Sequence, residues 1–109
     1  MYIQSLLKKK TLKELNRNLL LVYTGIRRTA HEIASNYINK LEKSKKSHII
    51  EITNLVKEGE KILKKGELND FGSLLHESWQ EKKSLSSSIT NFNIDEIYNN
   101  AINKGALGG

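Results

Sequence analysis

The run Leu19-Leu20-Leu21-Val22-Tyr23-Thr24 carries no charged residue and closes on Gly25. An apolar stretch without alternation suits a strand buried on both faces. A helix continuing from Leu12 through Val22 is the competing reading. A strand of this kind needs cover on both sides, and one or two strands do not form a stable sheet alone. The run therefore points to pairing partners beyond itself. A second strand candidate is the short apolar stretch from Tyr2 to Leu7.

Around that run the pattern is helical. Thr11 followed by Glu14 three residues on has the capping-box spacing, which predicts a short helix burying Leu12 and Leu15. From Ile26 the period changes: Ile26, Ala30, Ile33, Ala34, Tyr37, Ile38 and Leu41 fall three and four apart. The stripe fails across Glu42 to Ser47 and resumes at Ile49, Ile52, Leu55, Val56, Ile62 and Leu63. Two antiparallel helices joined by the Lys/Ser segment explain this. One long helix with a polar interruption between Ile26 and Lys65 is the alternative, since nothing in the segment is a strong breaker.

Lys64-Lys65-Gly66 reads as a basic last turn and a glycine cap. A third helix, Glu67 to Lys83, buries Leu68, Phe71, Leu74, Leu75, Ser78 and Trp79. Ser84 to Ser88 is a polar loop. Asn93, with Glu96 three residues on, caps a last helix whose stripe is Ile94, Ile97, Tyr98, Ala101 and Ile102, ending at Gly105. The fold class is mostly α: four or five helices with one or two short strands.

The chain has 109 residues, enough for one domain. It has no Pro, which suits uninterrupted helices. It has no Cys, so no disulfide framework or thiolate metal site is available. No apolar run approaches the roughly 20 residues of a membrane span, and Lys8-Lys9-Lys10 interrupts any signal-peptide core. A cytoplasmic protein without a membrane partner is the expectation. The net charge of +6 is spread along the chain, often beside Glu, as on solvated helix faces.

His31, His48 and His76 lie on three different helices without metal-ligand spacing, so no metal site is expected. His76 sits on the Trp79 helix, from which it could reach a site, but reads first as a surface histidine. Thr24-Gly25-Ile26-Arg27-Arg28 places a tight turn and two guanidinium groups at a helix start, which suits an anion, or a plain turn with exposed arginines. Gly72 inside a good helix costs about 1 kcal/mol relative to Ala, which points to a close backbone contact there. Trp79 and Lys82, three apart, share a face. They suit a sugar or phosphate pocket, or a core Trp beside a surface Lys.

Three segments taken together resemble a family: Leu19 to Arg28; Asn69-Asp70-Phe71-Gly72 with Leu74 to Trp79 and Lys82; and Ile94-Asp95-Glu96-Ile97-Tyr98 leading to Gly105-Ala106-Leu107-Gly108-Gly109. The chain resembles the C-terminal part of GHMP-superfamily sugar kinases, in particular D-glycero-D-manno-heptose 7-phosphate kinases. The resemblance implies an incomplete α+β C-terminal lobe of such a kinase over residues 1–109. The N-terminal ATP-binding lobe and the final Gly-rich segment of the family have no counterpart in the sequence.

For the full-length family the resemblance implies ATP and Mg²⁺, and transfer of a phosphoryl group to the anomeric hydroxyl of a heptose 7-phosphate, on the way to nucleotide-activated heptose. It implies substrate-binding positions at Thr24, Arg27, Arg28, Trp79 and Lys82. No residue of the chain matches a catalytic or metal-binding position, so tight binding of ATP or Mg²⁺ is not expected. The expected partners are the sugar phosphate, the N-terminal lobe, and a second copy through exposed apolar surface. The alternative is a stand-alone basic helical module binding nucleic acid or an acidic partner. It leaves the two-sided run and the helical Gly72 unexplained.

Overall fold

The computed structural model describes residues 7–25, 46–85 and 89–109. Its helices are α1 (Lys9–Arg17), α2 (Lys46–Lys65), α3 (Leu68–Lys83) and α4 (Phe92–Asn103). The fold is mostly α, and no strand occurs among the described residues. The helix over Ile26 to Leu41, the Ser86–Ser88 part of the loop, and most of Tyr2 to Leu7 lie outside those residues. So does the junction that decides between one long helix and two.

α2 and α3 form an antiparallel hairpin, with His48 at the start of α2 2.7 Å from Glu81 near the end of α3. The turn is a Schellman motif on Gly66 (φ +79°). The Gly66 N–H donates to the Leu63 carbonyl and the Glu67 N–H to the Ile62 carbonyl. Midway along the hairpin Gly59 is buried, and a Cβ there would lie 3.5 Å from Leu74 Cδ2 and 3.7 Å from Phe71 Cε2. With no side chain at that point, α3 comes up against the α2 backbone.

The core is thin. Among the described residues the buried apolar side chains are Leu7, Leu55, Leu74 and Leu85. Phe71, Leu75, Ile52, Leu63 and Trp79 are half-buried around them. The α3 stripe expected from spacing is the one the hairpin uses. On α2 the stripe is looser than expected: Val56 is 67% exposed and faces an open groove.

Three sequence expectations are corrected. Leu19 to Thr24 is neither a strand nor a continuation of α1. The helix stops at Arg17, where the Asn18 N–H donates to the Leu15 carbonyl and the Asn18 side-chain amide to the Glu14 carbonyl. The run beyond is irregular and largely in solvent, because no second strand among the described residues offers it a ladder. Thr11 does not cap α1. It sits inside the helix, whose N-cap is Lys8, and its Oγ1 abuts Gly66. The last helix is capped by Asn91, not Asn93: the Ile94 N–H donates to Asn91 Oδ1 at 3.0 Å, and the Thr90 hydroxyl braces Asp95 at 2.8 Å. Among the described residues no helix is long and apolar enough to cross a membrane.

The two glycine caps allow a paired test. Gly66 and Gly105 both hold positive φ, but a Cβ at Gly66 would meet Thr11 Oγ1 at 3.1 Å, whereas the space at Gly105 is open. Gly105→Ala should cost about 1–2 kcal/mol from the left-handed backbone alone. Gly66→Ala should cost more, as read by urea unfolding followed by circular dichroism. Equal costs would count against the Thr11–Gly66 contact.

Candidate functional site

The residues singled out for chemistry converge on one face of α3, where the chain returns after α4. Gly105 ends α4 with a second Schellman motif, its N–H donating to the Ile102 carbonyl and the Ala106 N–H to the Ala101 carbonyl. The tail Ala106 to Gly109 then lies along α3. A Cβ on Gly72 would stand 2.6 Å from Leu107 Cβ. A Cβ on Gly108 would collide with the Gly72 carbonyl and lie 2.6 Å from the His76 N. Neither position accepts a side chain without movement of the tail. The close contact expected at Gly72 is therefore present, and the tail supplies it.

One turn further along α3, His76 and Tyr98 stack at 5.7 Å between ring centroids and 14° between planes. His76 Nδ1 is 2.7 Å from the Tyr98 hydroxyl. Trp79 tilts against the same Tyr98 ring at 5.9 Å. The Lys83 ammonium sits 5.8 Å from the centre of the Trp79 ring, in cation–π range. Trp79 Nε1 is buried without a hydrogen-bond partner among the described residues, a costly state for an N–H donor.

Burial pushes the Tyr98 phenol above its ordinary value of 10.0, and a hydrogen bond from the Gly109 backbone N–H pulls partly back. The His76–Tyr98 contact is one hydrogen bond, with the tautomer of the imidazole deciding which partner donates.

Of the expected site residues, Trp79 lies in this cluster. Lys82 is exposed, and Lys83 is the lysine over the indole. Thr24 is half-buried beside Gly25, which takes φ +78° as a tight turn requires. Arg27 and Arg28 lie outside the described residues. His76 is not a free surface side chain but a half-buried partner of Tyr98. The sequence held a signal for it: Gly72, His76, Trp79 and Lys83 fall four, three and four apart, on one helix stripe. Among the described residues no group of three His, Cys, Asp or Glu could hold a metal ion.

Comparison with known proteins gives two curated relatives. The D-glycero-alpha-D-manno-heptose 7-phosphate kinase of Campylobacter jejuni is 32% identical over 100 residues, covering 88% of this chain and 29% of that protein. The bifunctional fucokinase/GDP-fucose pyrophosphorylase of Arabidopsis thaliana is 28% identical over 90 residues, covering 80% of this chain and 8% of that protein. The chain is a partial relative of the GHMP-type sugar kinases. It spans under a third of either relative's length. No protein-family model and no solved structure matches it.

The ionisation of Tyr98 can be checked in this sugar-kinase relative. The phenol's raised value favours its neutral form in the fold. Its contribution to stability is thus fully present below pH 10 and lost as pH rises through the raised folded value. The 295 nm absorbance titration, minus that of Tyr98→Phe, should give one tyrosine ionising above pH 10.

Proposed function

We propose that the chain forms the substrate-cleft wall of a sugar kinase, as part of its C-terminal lobe. The observation that carries this reading is the 32% identity to the heptose 7-phosphate kinase, which runs through 88% of the chain. In this reading the anomeric hydroxyl of a heptose 7-phosphate attacks the γ-phosphorus of ATP. The new O–P bond forms as the bond to the β-phosphate oxygen breaks, the hydroxyl proton is lost, and ADP leaves. Mg²⁺ would neutralise the phosphate oxygens. The product is the heptose 1,7-bisphosphate, made in the cytoplasm for nucleotide-activated heptose.

The described residues do not supply a metal-ligand group. Neither ATP nor Mg²⁺ is assigned to them, and none is given a catalytic role. The role of the chain is binding. Arg27 and Arg28 suit the sugar's phosphate as fork-shaped donors, with Thr24 at the turn before them. Trp79 offers an aromatic face to the sugar, with Lys82 and Lys83 adding positive charge beside it. The basic nucleic-acid module is not favoured by either relative. Part of the charge it would rest on is balanced within its own helices, as in Lys64–Glu60 at 3.0 Å and Arg17–Glu14 at 3.2 Å.

The test is a titration of the 109-residue chain with D-glycero-D-manno-heptose 7-phosphate and with the unphosphorylated heptose, followed by Trp79 fluorescence. The phosphorylated sugar should bind more tightly, and Arg27→Ala or Arg28→Ala should weaken it by about tenfold or more. Equal affinity for the two sugars would overturn the sugar-phosphate reading. With ATP and Mg²⁺ added, phosphorus NMR should show no bisphosphate; turnover would overturn the assignment of the chain to a cleft wall alone.

A further inference from the structure

Two apolar features of the molecule match each other. The first is the run after α1. Leu19 lies in a cleft with Leu15, Phe71 and Leu75. From there the run stays in solvent: Leu20 is 87% exposed, Leu21 99% and Tyr23 75%. The second is a groove of about 440 Å³ between α2 and α3, lined by Ile52, Leu55, Val56, Leu63, Phe71 and Leu75 among others. Both are larger than the scattered single apolar residues that a monomer's surface normally shows.

Charge decides how two copies can meet. At +6 each, they repel through their lysine-bearing faces. Residues 19–26 carry no charge at all. At the groove, Glu60 and Lys64 are paired with each other at 3.0 Å. Laying the run of one copy into the groove of another sets an uncharged segment against an apolar lining whose one ion pair is already made, and removes apolar surface on both sides from water.

We infer that the chain forms a reciprocal two-fold dimer, in which Leu20 to Tyr23 of each copy lies in the α2–α3 groove of its partner. The two contacts are identical by symmetry and the assembly closes on itself. The inference stands on surface and charge and is independent of the sugar-kinase reading.

Sedimentation equilibrium over a wide concentration range tests it. The chain should reach twice its 12.4 kDa mass and go no further. Leu21→Lys, in the run, and Val56→Lys, in the groove, change exposed positions and should leave helical circular dichroism intact. Each should weaken dimerisation by about tenfold or more. An equimolar mixture of the two variants should associate more strongly than either alone, because the intact run of the Val56→Lys chain fits the intact groove of the Leu21→Lys chain. A monomeric parent chain would overturn the inference. So would a Val56→Lys chain that dimerises normally, which would mean run-to-run pairing, and so would species growing beyond the dimer, which would mean open head-to-tail association.

Discussion

The backbone of Gly108 rests on the backbone of α3 at Gly72, with Leu107 folded over the same spot. Two glycines, 36 positions apart in sequence, are needed for that approach, because a Cβ on either would stand inside the other strand of chain. The contact fixes where α4 can lie, since Gly105 turns the chain from α4 directly into the tail. It also brings Gly109 to Tyr98 and Tyr98 to His76, which in turn puts Trp79 and Lys83 at the rim. The candidate site is therefore a consequence of a packing constraint on the backbone.

The other half of the described molecule follows a similar rule. α2 and α3 close on each other at Gly59, turn on Gly66, and are tied at the open end by His48 and Glu81. With four buried apolar side chains among the described residues, the core alone contributes little, so backbone fit carries more of the specification than in a larger domain. The apolar surface left over is gathered in the α2–α3 groove and the Leu19–Tyr23 run.

Much of this was legible in the sequence where the signal was local. Gly66 and Gly105 read as caps because each follows a periodic stripe, and the structure gives both positive φ. The α3 stripe from Leu68 to Trp79 is the face that packs. Gly72 read as a close-contact position because a helix interior gains nothing else from glycine, although its partner, the tail, was not identifiable from spacing. The failures are of another kind. Leu19 to Thr24 has strand composition, but a strand exists only as part of a ladder, and composition cannot supply the second strand. Thr11 and Asn93 matched capping boxes by spacing, yet Lys8 and Asn91 take those places: Asn91 accepts the Ile94 N–H through its own side chain, and Lys8 precedes α1 without a side-chain cap. His76 read as a surface residue and Lys82 was preferred to Lys83, since i,i+3 and i,i+4 neighbours of Trp79 are equivalent on paper; in the fold Lys83 is the one over the indole.

A double-mutant cycle at the backbone contact tests the account most directly. In the parent chain Gly72→Ala should destabilise by about 1–3 kcal/mol, the cost of overpacking outweighing alanine's better helix propensity. In a Leu107→Gly background the obstructing Cβ is gone, and the same Gly72→Ala change should become neutral or stabilising by up to about 1 kcal/mol. Urea unfolding of the four chains reads this change of sign. If Gly72→Ala has the same effect with and without Leu107, the tail does not rest on α3 and the arrangement of the site built on it is wrong.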